Sequence, residues 1–326
     1  MSTAITSFPT PTYPFGAQED CLTSALHLFR SGDAPSAARG ARFLRDSVAE
    51  MRRACATETE WRNRIDTEIR RHPVAAAALG DPFVRHANQK PRGYAGDAVL
   101  LDYIYHHPSR QGELDNAPAE VRAVMQFTTN SPAPRAVRNR AMLLASEIDA
   151  TARRVEHPSV LSLACGHLRE AQMSRALQAK TVGRFLAIDQ DAESLAVVRE
   201  DCARLGVEAV EGSVKTVIAR GEALGQFDFV YAAGLYDYLN DKVAARLLRA
   251  LFALVKPGGK VWVANFMPDI EDRGYMEAFM DWWLIYRDEV QMRQLGEALP
   301  ADEVASMRTF VEHEDNVVFL EAVRRG

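Results

Sequence analysis

Gly166, Glu170 and Asp189 form the arrangement in this 326-residue chain best suited to holding a reactive ligand. The apolar run Val160 to Leu163 stops at Ala164-Cys165-Gly166, and a second run, Phe185 to Ile188, stops at Asp189. A strand ending in glycine, a helical stretch and a strand ending in an acid make the front half of a nucleoside-binding βαβ unit. Glycine lets the backbone close on the ligand, and the carboxylate at the second strand's tip accepts hydrogen bonds from ribose hydroxyls.

The residues after Gly166 decide which nucleoside. A dinucleotide needs three glycines so that its pyrophosphate can rest on the helix N-terminus. Here the chain continues His167-Leu168-Arg169-Glu170, and the Glu170 carboxylate would repel a phosphate. A ligand that is cationic near the turn suits these residues, and S-adenosylmethionine, with its ammonium and sulfonium groups, has that character. On this reading Gly166 and the backbone around Ala164 hold the methionine part, with Glu170 turned inward. Asp189 holds the ribose with Gln190 beside it, and Ser213 and Val214 after a third strand hold adenine. Gly234 and Leu235 line the pocket from the end of a fourth strand.

These residues need a sheet to carry them. A third short strand ends at Glu211-Gly212-Ser213-Val214, Gly225 to Leu235 reads as a fourth, an amphipathic helix covers 244–254, and the turn Lys256-Pro257-Gly258-Gly259-Lys260 feeds a strand over Val261 to Phe266. The final run, Asn316 to Val323, is expected to close the sheet as an edge strand. Strands alternating with helical segments predict an α/β, doubly wound, mostly parallel sheet.

From about residue 155 onward the chain resembles the class I S-adenosylmethionine-dependent methyltransferases. The resemblance rests on the Gly166 turn, Asp189, Phe227-Asp228-Phe229-Val230 and Leu254-Val255-Lys256-Pro257-Gly258-Gly259 together. It implies a seven-stranded Rossmann-like sheet and S-adenosylmethionine as cofactor. The single glycine in the first turn departs from the family pattern.

Composition narrows the partners. A net charge of −5 leaves no basic footprint for nucleic acid, and the arginines over 52–71 alternate with acids as on a solvated helix face. No apolar stretch reaches the ~18 residues of a membrane span, and Met1 to Ala17 lacks the regions of a signal peptide. Cys21, Cys55, Cys165 and Cys202 have neither zinc nor disulfide spacing, which suits a cytoplasmic protein. No metal site is expected, since His313-Glu314-Asp315 are adjacent and adjacent residues do not converge on one ion. Oligomeric state leaves no mark in the sequence.

Residues 1–150 read as a helical cap domain and 151–326 as the cofactor-binding domain. After Pro9, Pro11 and Pro14 come helical periods over 21–29, 37–53, 60–71 and 120–126, broken at Gly32-Asp33-Ala34-Pro35, His72-Pro73 and Asp81-Pro82. Two cap stretches stand out. In Lys90-Pro91-Arg92-Gly93-Tyr94-Ala95-Gly96-Asp97, Asp97 either caps the following helix or, with Tyr94, faces the cofactor. In 127–140, Arg135, Arg138 and Arg140 are candidates to clamp a carboxylate, and Asn139 to position an amine or acceptor.

With Gly234 to Leu239 and Trp282 to Arg287, these stretches make the whole chain similar to a methyltransferase-like group. That group centres on 3-hydroxypalmitic acid methyl ester biosynthesis and includes azetidine-2-carboxylate synthases of secondary metabolism. The resemblance implies either methyl transfer to a small carboxylic acid or related metabolite, or cyclisation of S-adenosylmethionine itself with release of methylthioadenosine. Tyr94, Asn139, Tyr236 and Asp97 are the expected catalytic residues. Tyr94, Tyr236, Tyr238, Trp282, Trp283 and Tyr286 are candidate rings for the sulfonium, of which at most three are expected to reach it. A sensor that binds the cofactor without turnover is a third reading.

Overall fold

The computed structural model describes residues 20–326; the proline-bearing leader and the reading of Met1 to Ala17 lie outside the described residues. Seven strands form one sheet: β1 (Ser159–Leu163), β2 (Arg184–Asp189), β3 (Val207–Glu211), β4 (Phe227–Ala232), β5 (Val255–Phe266), β6 (Val304–Val311) and β7 (Val317–Arg324). Their order is β3-β2-β1-β4-β5-β7-β6. The first five are parallel, and β7 is antiparallel to both β5 and β6. The order reverses between β1 and β4, and ligands of such sheets lie outside the strand C-termini at that point.

Both faces of the sheet are covered, which is why its central strands are nearly continuous apolar runs. Val160, Phe185, Phe229, Tyr231 and Trp262 face one core, shared with the N-terminal helices. Leu161, Leu186, Val230, Val261 and Val263 face the other, under the helix Asp241–Ala253. The N-terminal helices run from Cys21–Phe29 to the long helix Pro132–Arg154, which passes through residue 150. They are tied to the C-terminal half by polar contacts, some of them buried. The Glu277 carboxylate accepts from Arg52 at 3.0 Å and from the Trp61 indole at 2.7 Å, and Asp281 pairs with Arg70 and Lys90.

One expectation is corrected. The run Asn316 to Val323 is not the sheet edge: β7 lies inside, between β5 and β6, and β6 is the edge. Ser306, Arg308 and Thr309 dilute the apolar pattern of β6, and half of the strand is exposed and none of it fully buried, so its signal is weak. The Lys256 to Lys260 turn is a feature within β5, with Gly258 at φ +78° and a register irregularity against β4.

Candidate active site

The first turn keeps a glycine-loop backbone with one glycine. Ala164, Gly166 and Leu168 all lie in the left-handed region, at φ 54°, 54° and 51°. For alanine and leucine that conformation costs roughly 1–2 kcal/mol each, so the surroundings must enforce it. Cys165 N donates to Ile188 O at 3.1 Å and Gly166 N to Asp189 Oδ2 at 2.8 Å. Beneath the turn, buried Asp102 accepts two bonds from Arg169, at 2.7 and 2.8 Å, and pairs with His167 Nδ1 at 2.9 Å. These partners hold the Asp102 carboxyl below the usual carboxylate range against the opposing effect of burial. His167 is thereby a strut of the turn. A Cβ on Gly166 would come 3.3 Å from Ala98, so the cap abuts the loop there.

At the tip of β2, Asp189 is only 7% exposed. Its second oxygen, Oδ1, accepts from Asp191 N at 2.9 Å, and its carbonyl accepts from Gly212 N at 2.9 Å. Gln190 is exposed beside it. Ser213 caps the helix Val214–Arg220 through Thr216 N at 3.3 Å, which puts Ser213 and Val214 at the neighbouring tip. The cap loop closes over this edge. Arg92 pairs with Asp191 and Glu193 and donates to Ser194 at 2.7 Å. Tyr94 stands close enough to Asp189, Asp97 and Asp191 that, after burial, their charges push its phenol well up.

Two buried ionisable side chains, Arg140 and Glu170, gather near the tip of β4. Arg140, 5% exposed, donates to Ala233 O at 2.7 Å, and a Cβ on Gly234 would stand 3.6 Å from its guanidinium. Glu170 is buried, accepts from the Tyr231 hydroxyl at 2.8 Å and is raised by burial, with Arg140 and Arg169 opposing. Tyr105 joins the same group; burial raises its phenol to about 12. Above them, Tyr94 and Tyr238 meet edge to face with centroids 6.1 Å apart, and Trp282 Nε1 donates to the Tyr238 hydroxyl at 2.8 Å. Gly96 permits this approach, because a Cβ there would fall 2.6 Å from both Trp282 and Tyr238.

Of the expected catalytic residues, Tyr94 lies at the strand tips and the others are otherwise engaged. Asn139 is turned away and donates to Glu312 at 3.0 Å; its neighbour Arg140 has the inward phase of the helix. Tyr236 is fully buried in the core under Asp241–Ala253, with its hydroxyl unpartnered. Asp97 caps the helix Ala98–Ile104 through Leu100 N at 2.7 Å and pairs with His86 at 2.9 Å, which is the structural alternative. Of the three arginines, Arg135 pairs with Glu314, and Arg138 donates to the carbonyls of Ile104 and Thr129. Three of the six candidate rings, Tyr94, Tyr238 and Trp282, gather at the site. Trp283 lies under Arg62 and Tyr286 under Arg273. Sequence reading left Arg92 and Tyr105 unassigned. Arg92 sits in the conspicuous glycine-rich stretch, whereas nothing in the sequence distinguishes Tyr105.

This donor set fits S-adenosylmethionine. It offers a carboxylate held by backbone amides at one end, a buried arginine and a buried acid at the other, and aromatic rings between. Residues 160–259 match a methyltransferase-domain family. Residues 160–259, on the Rossmann-like sheet, are thus similar to a methyltransferase domain, and S-adenosylmethionine is the cofactor. Among solved structures, a possible exported protein from Bordetella parapertussis is 18% identical, with 77% of this chain and 97% of that one covered and a TM-score of 0.53, a likeness of fold alone. Magnesium protoporphyrin IX methyltransferase from Synechocystis PCC 6803 is 12% identical over 70% of this chain and 99% of that one. Its TM-score of 0.45 is too low to bear on function. Comparison with curated proteins gives no significant match. No helix among the described residues is long and apolar enough to cross a membrane.

Proposed function

We propose that the protein transfers the methyl group of S-adenosylmethionine to a small carboxylic acid or related metabolite. The observation that carries this reading is the charge order across the strand tips: Asp189, then the rings, then Arg140 beside Glu170. It matches ribose, sulfonium and amino-acid end in sequence. Asp189 accepts from the ribose hydroxyls with Gln190 at its side, and Ser213 and Val214 cover adenine. The left-handed backbone at Ala164 and Gly166, Glu170 and Arg140 hold the ammonium and carboxylate. Gly234 and Leu235 form the wall, and Tyr94, Tyr238 and Trp282 face the sulfonium at roughly 0.5–2 kcal/mol per favourable ring.

The cofactor supplies an electrophilic methyl group; the chain supplies binding, orientation and exclusion of water. Burial pushes the phenols of Tyr94 and Tyr238 up, and Asp97 is committed to His86 and to its helix. None of the three is placed to take a proton. An acceptor that is already an anion at neutral pH needs no base, which favours a carboxylate oxygen over an alcohol. Membership of the group around 3-hydroxypalmitic acid methyl ester biosynthesis belongs to the same proposal. Incubation with S-adenosylmethionine, with and without a panel of small carboxylic acids, followed by mass spectrometry of the products, tests it. S-adenosylhomocysteine and a methyl ester appearing together, only when an acid is added, are expected. Methylthioadenosine formed from the cofactor alone would replace methyl transfer with cyclisation, and binding without turnover would leave a sensor.

A further inference from the structure

The cap carries a groove lined by none of the residues assigned to the cofactor. It lies where the helices Ala34–Ala54 and Ala119–Thr128 meet the start of the helix Pro132–Arg154, and its volume of about 550 Å³ is in the range of small-molecule sites. Four arginines line it, Arg39, Arg42, Arg45 and Arg135, against a single acid, Glu271. Arg39, Arg42 and Arg45 recur at every third residue of one helix. They therefore share a face, each about 4.5 Å from the last along the axis.

Their partners divide these guanidinium groups into two kinds. Arg45 is 8% exposed, and its charge is matched within the protein: Nε and Nη2 donate to Asp46 at 2.8 and 2.6 Å, and Glu271 and Asp272 stand at 3.6 and 3.9 Å. Arg135 pairs with Glu314 at 2.7 Å. Arg39 and Arg42 are different. Arg39 donates to a neutral hydroxyl, Ser36 Oγ, at 2.6 Å, and Arg42 lies 5.0 Å from the centre of the Phe127 ring. Among the described residues neither forms an ion pair. Asp46, one turn on from Arg42, would suit it, but Arg45 already holds that carboxylate. A guanidinium stacked on a ring uses its face and keeps its N–H donors at the edge, in the fork that fits phosphate oxygens.

We infer that the groove binds a metabolite carrying two linked phosphate groups, one gripped by Arg42 and the other by Arg39. A single carboxylate fills one fork and leaves the second cation unmatched, whereas a diphosphate presents oxygens to both. Phe127 and Pro132, also in the lining, give the uncharged remainder of the metabolite an apolar wall. The concave form and small-molecule size favour such a compact anion over an acidic peptide, whose carboxylates sit on separate side chains.

Calorimetric titration of the full chain with inorganic diphosphate, orthophosphate and a hexaglutamate peptide tests this. Diphosphate carries no nucleoside, so it reports on the groove and not on the ribose and adenine residues. It should bind at least tenfold more tightly than orthophosphate, and hexaglutamate should bind least. Arg42→Gln and Arg39→Gln, both exposed positions outside the core, should each weaken diphosphate about fivefold and together about 20-fold. Neither should change the affinity for S-adenosylmethionine. Arg204→Gln, which removes an exposed arginine outside the groove, should leave diphosphate binding as it is. The inference is overturned if diphosphate does not bind, if orthophosphate binds as tightly, or if hexaglutamate binds more tightly. It is equally overturned if Arg42→Gln weakens diphosphate no more than Arg204→Gln does.

Discussion

Arg140→Met is the perturbation that most clearly separates the two ends of the cofactor site. Arg140 is buried, donates to Ala233 O at 2.7 Å and stands beside the Gly234 backbone and Glu170. A hydrogen bond to a charged group contributes about 1.5–3 kcal/mol, so removing the guanidinium should weaken S-adenosylmethionine roughly 10- to 150-fold. Methionine keeps most of the aliphatic volume. The variant leaves Ala233 O without its donor and Glu170 without a neighbouring cation, so a fall in melting temperature accompanies the effect and must be measured alongside. Calorimetry with two ligands distinguishes recognition from damage. 5′-Methylthioadenosine carries the nucleoside and the sulfur but neither ammonium nor carboxylate, and its affinity should change less than about threefold while that of S-adenosylmethionine collapses. Arg140→Lys, which keeps the charge without the planar fork, should fall between. Equal losses for the two ligands would refute the assignment of Arg140 to the amino-acid end.

Further outcomes follow from the same geometry. Asp189→Ala should weaken S-adenosylmethionine by about 1–3 kcal/mol in calorimetry, and also lower the melting temperature, because its oxygens hold the amides of Gly166 and Asp191. Gly96→Ala should cost about 1–3 kcal/mol in denaturant unfolding, since the new Cβ falls 2.6 Å from Trp282 and Tyr238, and it should weaken the cofactor as the rings are forced apart. Ala164→Gly should raise stability by up to about 1 kcal/mol, the relief of a left-handed alanine less the added chain entropy. Burial raises the carboxyls of Asp81 and Asp237 to about 6. Each keeps its proton in the folded state above the range near 4 where it would ionise unfolded. Their share of stability is therefore present at low pH and declines as pH rises from about 4 to about 6. Asp237→Asn should flatten that decline in unfolding titrations, with its amide oxygen still accepting from Phe266 N.

The strand tips were legible because each rests on chemistry local to a few residues. An apolar run that stops at glycine or at an acid says where a parallel strand ends and what stands there, as at Gly166, Asp189 and Gly234. The left-handed turn was obscured because Ala164 and Leu168 occupy it against their own preference, under the control of Asp102, a residue far away in sequence. Whether Asn139 or Arg140, both candidates, faces the sheet is a matter of helix phase: consecutive residues on a helix point about 100° apart, and only docking against β4 fixes which does. Tyr236 shows the same limit. It follows the strand in a single helical turn, and that turn aims it into the core while Tyr238 reaches the site. Edge strand β6 escaped because an exposed strand needs no continuous apolar pattern.

A crystal structure of the protein with S-adenosylmethionine measures the central claim most directly. The ribose hydroxyls should lie on the Asp189 carboxylate, the amino-acid end between Arg140 and Glu170, and the sulfonium against Tyr94, Tyr238 and Trp282. Density for the ligand elsewhere, or at the strand tips with the ribose away from Asp189 and the carboxylate away from Arg140, would contradict the account.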